Sequence, residues 1–278
     1  MFILKAVIIL GGIGLLLGLF LAWAHKKLAI SSDSLGEEIL SLLPGTNCGI
    51  CGYPGCSGYA TAIVKGKAEP NRCVVGGNDL IARLAELLEM DIKPKEKMVA
   101  VIFCQGSPEI APDRFSYRGI KDCNAAVLIG GGNKSCRYGC LGFGSCERAC
   151  PFGAIHMGEN GLPQIDENLC TGCGKCIEAC PIPALIRLVP AARAAVRILC
   201  NSHDKGAIVR QICQKGCIAC GICVKVCPLL AITLQDNLAE IDYQKCDACG
   251  QCVEKCPRKT IVWVKEKIPV KVPLGKKN

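Results

Sequence analysis

Cysteines at short, repeated spacings carry whatever chemistry this chain performs. Three runs read Cys-x2-Cys-x2-Cys-x3-Cys-Pro: Cys170, Cys173, Cys176 and Cys180; Cys217, Cys220, Cys223 and Cys227; Cys246, Cys249, Cys252 and Cys256. A fourth run is stretched: Cys136, Cys140, Cys146 and Cys150, again followed by proline. Upstream, Cys48, Cys51, Cys56 and Cys73 form a glycine-rich set of their own. Twenty of the 24 cysteines fall into these five sets. Disulfides across such crowded runs would need Cβ directions that near neighbours do not offer. Zinc takes four cysteines as two separated pairs. A triplet with a remote Cys-Pro suits a [4Fe–4S] cubane. The set from Cys48 to Cys73 lacks the triplet, so its spacing admits either metal. The expected chemistry is single-electron transfer, with no catalytic side chains and no bond made on a substrate.

Composition agrees. Aromatic residues make up 5% of the 278 residues, and domains so poor in large apolar side chains usually need a metal or disulfide staple. The formal charge of +9 suggests nucleic acid or an anionic surface, but it counts every cysteine as neutral. A cubane held by four thiolates carries about −2, so five of them bring the net charge to about −1. No nucleic-acid motif accompanies the lysines, and nucleic acid is not expected as a partner. Gly130 to Ser135 lacks phosphate-loop spacing, and no dinucleotide fingerprint follows a strand.

The elements that must position these cysteines can be read along the chain. Phe2 to Ala24 is almost wholly apolar, long enough to predict a transmembrane helix. His25, Lys26 and Lys27 follow it, so the positive-inside rule predicts a single-pass inner-membrane protein, N-terminus outside and the large domain on the cytoplasmic side. Residues 1–27 are thus expected as an anchor. Residues 28–90 form a small four-cysteine Fe–S domain that opens on an amphipathic stretch and closes on a helix over Asp79–Met90. Residues 91–132 read as a connecting α/β segment with strands at Met98–Cys104 and Ala125–Ile129. Beyond them the chain repeats itself, Cys150-Pro…Ile165-Asp166…Cys170 against Cys227-Pro…Ile241-Asp242…Cys246. The repeat places modules at 133–190 and 214–264, a linker at 191–213 and a basic tail at 265–278. The expected class is α+β.

Each module resembles a bacterial two-cluster ferredoxin. In that family the fourth cysteine of each run ligates the other cluster. Carried over, the sets become Cys136, Cys140, Cys146 and Cys180; Cys170, Cys173, Cys176 and Cys150; Cys217, Cys220, Cys223 and Cys256; and Cys246, Cys249, Cys252 and Cys227. The stretch Gly45-Thr-Asn-Cys-Gly-Ile-Cys-Gly-Tyr-Pro-Gly-Cys56, with Cys73, resembles the four-cysteine domain of the Rnf B subunit and of corrinoid iron–sulfur proteins. Its order, after an apolar N-terminal stretch and before ferredoxin modules, resembles the Rnf B subunit alone. The resemblance implies a subunit of a membrane-bound ferredoxin:NAD+ oxidoreductase coupled to Na+ or H+ transport. It also implies soluble ferredoxin, the membrane, flavin-bearing subunits and multi-span subunits as partners. The alternative is a membrane-tethered ferredoxin subunit of another oxidoreductase.

Cys104, Cys123, Cys200 and Cys213 remain outside all five sets. Buried free thiols are the plainer reading. The sharper one is a sixth cluster assembled across the fold. His25, His156 and His203 show no metal-ligand spacing.

Overall fold

The computed structural model describes residues 11–23 and 34–264. Residues 11–23 are helical, α1. Among the described residues no helix is long and apolar enough to cross a membrane. This corrects the expected transmembrane anchor, and with it the single-pass inner-membrane placement and its orientation. Residues 2–10 and Ala24 of the expected span lie outside the described residues, as do His25, Lys26, Lys27 and the basic tail.

Three helices build the N-terminal domain: α2 (Ser34–Leu42), α3 (Gly55–Val64) and α4 (Gly77–Leu87). Their apolar faces meet in a core of Ile39, Leu43, Tyr59, Ile63, Leu80 and Leu84. Of the predicted amphipathic face, Ile39 and Leu43 are buried, whereas Leu40 is exposed. Helix α4 starts two residues earlier than its apolar stripe predicts and stops three residues sooner. Gly76 is its N-cap. The Asn78 side-chain oxygen accepts a hydrogen bond from the Lys95 amide at 3.1 Å. Glu89 takes a left-handed φ of 50° and breaks the helix.

Strand β1 (Met98–Ile102) pairs antiparallel with β4 (Ile186–Pro190), Val99 opposite Val189. The second predicted strand is a helix, α5 (Cys123–Val127). A short apolar run suits either state, and the cap decides. The Asp122 carboxylate accepts from the amides of Asn124 and Ala125, an N-cap no strand would use. Residues 99–103 and 126 share one core with Leu141, Ile155 and Leu185, so the connecting segment packs into the first module.

The repeat is visible as two copies of helix, hairpin, helix. The first has α6 (Ser145–Arg148), β2 (Ile155–Met157), β3 (Pro163–Ile165) and α7 (Lys175–Ala179). The second has α9 (Ile222–Val226), β6 (Ile232–Gln235), β7 (Leu238–Ile241) and α10 (Gln251–Lys255). Ile155 faces Ile165 in one hairpin, as Ile232 faces Ile241 in the other. Residues 191–213, expected as a linker, carry β5 (Val196–Ile198) and α8 (Gly206–Ile212). Strand β5 pairs with β8 (Ile261–Trp263) and closes the second module.

Candidate metal centres

A local rule aims each cysteine. In all four runs a left-handed glycine stands two residues before the third cysteine and caps a short helix: Gly144, Gly174, Gly221 and Gly250. Only glycine takes that φ without strain, and the turn points the helix amides back at the loop. A second left-handed residue follows each Cys-Pro: Gly153, Ala184, Leu230 and Lys259. The next amide can then turn back toward sulfur. Ala154 donates to the Cys150 Sγ at 3.4 Å and Ala231 to the Cys227 Sγ at 3.3 Å. Such N–H···S contacts stabilise a charged thiolate cluster.

The structure gathers the thiols as follows. Cys48, Cys51, Cys56 and Cys73 line one cavity. Asn47 ties two of their loops, its side-chain oxygen accepting from the Cys56 amide at 2.8 Å. Tyr59 holds the return to Cys73: its hydroxyl donates to the Glu69 carbonyl at 2.8 Å and accepts from the Arg72 amide at 3.0 Å. Burial pushes the Tyr59 hydroxyl up to about 12, so it stays a donor. Tyr59→Phe strands two backbone partners in a side-chain environment that is 1% exposed. We expect it to destabilise this domain by about 1–3 kcal/mol. The thermal midpoint should fall, with preferential loss of iron from this set; an unchanged midpoint would refute the role.

Cys217, Cys220, Cys223 and Cys256 line a second cavity, the crossed set that the ferredoxin resemblance implies. Cys246, Cys249, Cys252 and Cys227 lie within reach of one another's charge. Burial pushes Cys252 up to about 12, and its neighbours add to the rise. Cys256 runs the other way: burial opposes its ionisation, but hydrogen bonds from the amides of Ile261, Arg258 and Thr260 bring it below the ordinary thiol value. In the first module, burial with the charges of Cys170 and Cys173 pushes Cys176 up to about 12. The ferredoxin resemblance implies Cys150 as the fourth member of that set, the equivalent of Cys227.

The stretched run departs from its predicted set. The cavity that holds Cys140, Cys146 and Cys180 has Cys123 as its fourth cysteine, not Cys136. Cys123 is fastened there: its amide donates to the Ser145 hydroxyl at 2.9 Å. Ser145 in turn donates to Asp122 at 2.8 Å, and Arg148 donates to the same carboxylate oxygen. Those partners hold the Asp122 carboxyl down at about 2, the Ser145 hydroxyl contributing most. Cys136 turns away over a tight turn closed by the Gly139 amide on its carbonyl. It lines another cavity with Cys104, Cys200 and Cys213. The four cysteines outside every sequence run are therefore all beside a set. One lines the cavity of Cys140, Cys146 and Cys180, and three line a cavity with Cys136. The count itself was the available signal, since 24 cysteines divide into six fours.

Among the described residues, no group of three or more His, Cys, Asp or Glu is gathered for a single metal ion. Four thiolates round one zinc would stand about 3.8 Å apart. A cubane takes each thiolate on a different iron and spreads them wider. Thiolate-only donors, sulfur-directed amides and cavities framed by four cysteines fit that group. When bound, it supplies a reversible one-electron change; the protein supplies ligands, amides and burial.

Comparison with known proteins agrees. An Fe-S cluster family model matches residues 43–75, and 4Fe-4S dicluster domain models match 137–188 and 209–257. The first dicluster match begins after Cys136. The chain is 48% identical over 87% of its length to the B subunit of the Na+-translocating ferredoxin:NAD+ oxidoreductase complex of Acetobacterium woodii, covering 72% of that protein. It is 45% identical over 86% of its length to the B subunit of the proton-translocating ferredoxin:NAD+ oxidoreductase complex of Clostridium ljungdahlii, covering 84%. It is 42% identical over 87% to the B subunit of the ion-translocating oxidoreductase complex of Methanosarcina acetivorans, covering 91%. The chain belongs to the Rnf B-subunit family. It is a subunit of an oxidoreductase complex and an iron–sulfur protein, as its cysteines predict.

Proposed function

We propose that this chain is the electron-transfer subunit of an Rnf-type complex. It exchanges electrons with soluble ferredoxin and relays them to and from the flavin-bearing and ion-translocating multi-span subunits. The finer reading gives it six [4Fe–4S] clusters rather than five. Their ligands are Cys48, Cys51, Cys56 and Cys73; Cys104, Cys136, Cys200 and Cys213; Cys123, Cys140, Cys146 and Cys180; Cys150, Cys170, Cys173 and Cys176; Cys217, Cys220, Cys223 and Cys256; and Cys227, Cys246, Cys249 and Cys252. The observation that carries this reading is the convergence of Cys104, Cys136, Cys200 and Cys213 on one cavity. Two of these sulfurs already accept backbone amides: the Cys104 Sγ accepts from Gly106 at 3.2 Å and the Cys200 Sγ from Ser202 at 3.5 Å.

No dinucleotide fingerprint follows a strand in the sequence, so NAD+ chemistry and ion passage are assigned to other subunits. Six dianionic clusters bring the formal charge of +9 to about −3. Anaerobic purification from the native host tests the reading. Copurification with flavin-bearing partners and about 24 irons per chain is expected. Isolation with zinc and few irons would overturn it.

A further inference from the structure

The stretch from Gly130 to Ser135, which lacks phosphate-loop spacing, has another use. Asp113 and Lys134 form a β-bridge, and the Arg114 amide donates to the Asn133 carbonyl at 2.7 Å, so the stretch is pinned along residues 112–114. Gly132 permits this course: its φ is 98°, and a Cβ there would stand 2.5 Å from the Leu141 Cδ2. The outcome is a buried ammonium. The Lys134 side chain is 6% exposed, and its Nζ donates to the Ala111 carbonyl at 3.2 Å and pairs with an Asp113 carboxylate oxygen at 3.2 Å. Lysine is almost never this buried without a partner. The partner here is 40% exposed, so solvent screens the carboxylate far more than the ammonium.

Lys134 borders the cavity of Cys104, Cys136, Cys200 and Cys213, and so does Lys215. Burial pushes the Cys104 thiol up, and the Lys134 ammonium opposes that rise. Backbone amides favour negative charge at the same place. Gly106 and Cys140 donate to the Cys104 Sγ at 3.2 and 3.5 Å, and Ser202 and Cys217 to the Cys200 Sγ at 3.5 and 3.3 Å. The other sets lack this combination. No lysine, arginine or carboxylate lines the cavity of the Cys48 set or that of the Cys123 set. The Cys217 cavity has one cation, Arg258. Cys246 has the Asp247 carboxylate within electrostatic reach. Lys175, near Cys173, has a side chain 43% exposed and bound to Glu178.

A cubane on four thiolates carries about −2 when oxidised and about −3 when reduced. A fixed cation in a buried setting stabilises the second state more than the first, and amides aimed at sulfur act in the same sense. From this geometry we infer that Lys134 is a positioning residue acting through the Cys104 centre, and that it holds this centre at the highest reduction potential of the six. The inference rests on the six-cluster reading above. The centre is then the first to fill with an electron and the last to give it up. Reduction adds one electron, supplied in the test below by dithionite; no bond forms or breaks and no proton moves.

An anaerobic dithionite titration of the loaded full chain, followed by EPR, tests this. The double substitution Cys104→Ala with Cys200→Ala identifies the signal: iron should fall from about 24 to about 20 per chain, and the signal of highest midpoint should vanish. Unchanged iron would overturn the six-cluster reading and this inference with it. Loss of four irons with the highest-midpoint signal retained would leave that reading standing and overturn the inference alone. Lys134→Met should then lower the midpoint of that one signal, changing its reduced-to-oxidised ratio about tenfold at a fixed potential, which is about 59 mV for one electron. Asp113→Asn removes the countercharge and should move the same midpoint upward. Opposite signs from the two members of one ion pair are the mark of a charge effect, since general loosening of the loop would move both the same way. Shifts of the same sign, or no shift in either variant, would refute the role. If Lys134→Met loses iron, the milder Asp113→Asn decides alone, and an unmoved midpoint there overturns the inference.

Discussion

Cys123→Ala should remove about four irons per chain, and Cys136→Ala should remove about four different ones. The double variant should therefore lose about eight, leaving roughly 16 of 24. These numbers separate the structural assignment from the one implied by sequence spacing. If Cys136 completed the first module, Cys123→Ala would change nothing and the double variant would match Cys136→Ala alone. The physical ground is the staple round Cys123. Asp122 caps its helix and accepts from Ser145, the residue before Cys146, while the Cys123 amide donates to the same hydroxyl. Cys123 and Cys146 are therefore positioned by one hydrogen-bonded unit. Burial pushes the Cys146 thiol up to about 11, with Cys123 the foremost of the neighbouring charges that add to the rise. Iron and acid-labile sulfide, measured after anaerobic reconstitution, decide the matter.

A second large effect is expected at Arg197, in β5. Its guanidinium is 5% exposed and pairs with the Glu167 carboxylate at 2.6 Å, while its Nε donates to the Ala194 carbonyl at 2.8 Å. Glu167 belongs to the first module and β5 to the sheet that closes the second, so the pair pins the two together. Arg197→Met keeps much of the apolar stem but leaves a largely buried carboxylate without its main countercharge. Breaking such a pair from one side costs about 3–5 kcal/mol. The anaerobic thermal midpoint should drop by several degrees. Arg197→Met combined with Glu167→Gln should recover part of that loss, because the stranded charge is gone. A midpoint within a degree of the parent for the single variant would refute the argument.

The ligand runs were legible in the sequence because they are local. A Cys-x2-Cys loop, its capping glycine and the turn after Cys-Pro are fixed within a few residues, and one cavity of the second module is lined by Cys217, Cys220, Cys223 and Cys256, the set that the ferredoxin resemblance implies. What was not legible depends on partners far along the chain. Residues 125–129 looked like a strand until Asp122 was seen to cap them. Residues 191–213 looked like a linker because β5 is three residues long and gains meaning only from its pairing with β8. Arg193 there pairs with Glu96 and Arg197 with Glu167. Arg187, just before them in β4, pairs with Glu240 and lies 3.8 Å above the Phe103 ring. The first set went wrong at Cys136 because neighbours in sequence were taken as neighbours in space. The extra residues between Cys136 and Cys146 free the first cysteine to face another way. No helix among the described residues is long and apolar enough for the span that the apolar N-terminal stretch predicted.

The cavity of Cys104, Cys136, Cys200 and Cys213 has a consequence for how the protein is made. Cys104 and Cys213 stand 109 positions apart, whereas each regular run brings three ligands together within seven residues. A local run can present three thiols to a maturation donor as soon as its loop has formed. The distant set cannot, because closing so long a loop on four ligands is entropically unfavourable until β1–β4 and β5–β8 pairing has done it. On the six-cluster reading, iron loading at this position is expected to follow tertiary folding instead of preceding it. On that reading the cluster, once formed, is a further cross-link between two modules that the Arg187–Glu240 and Arg197–Glu167 ion pairs already join, and it marks a chain in which both have matured.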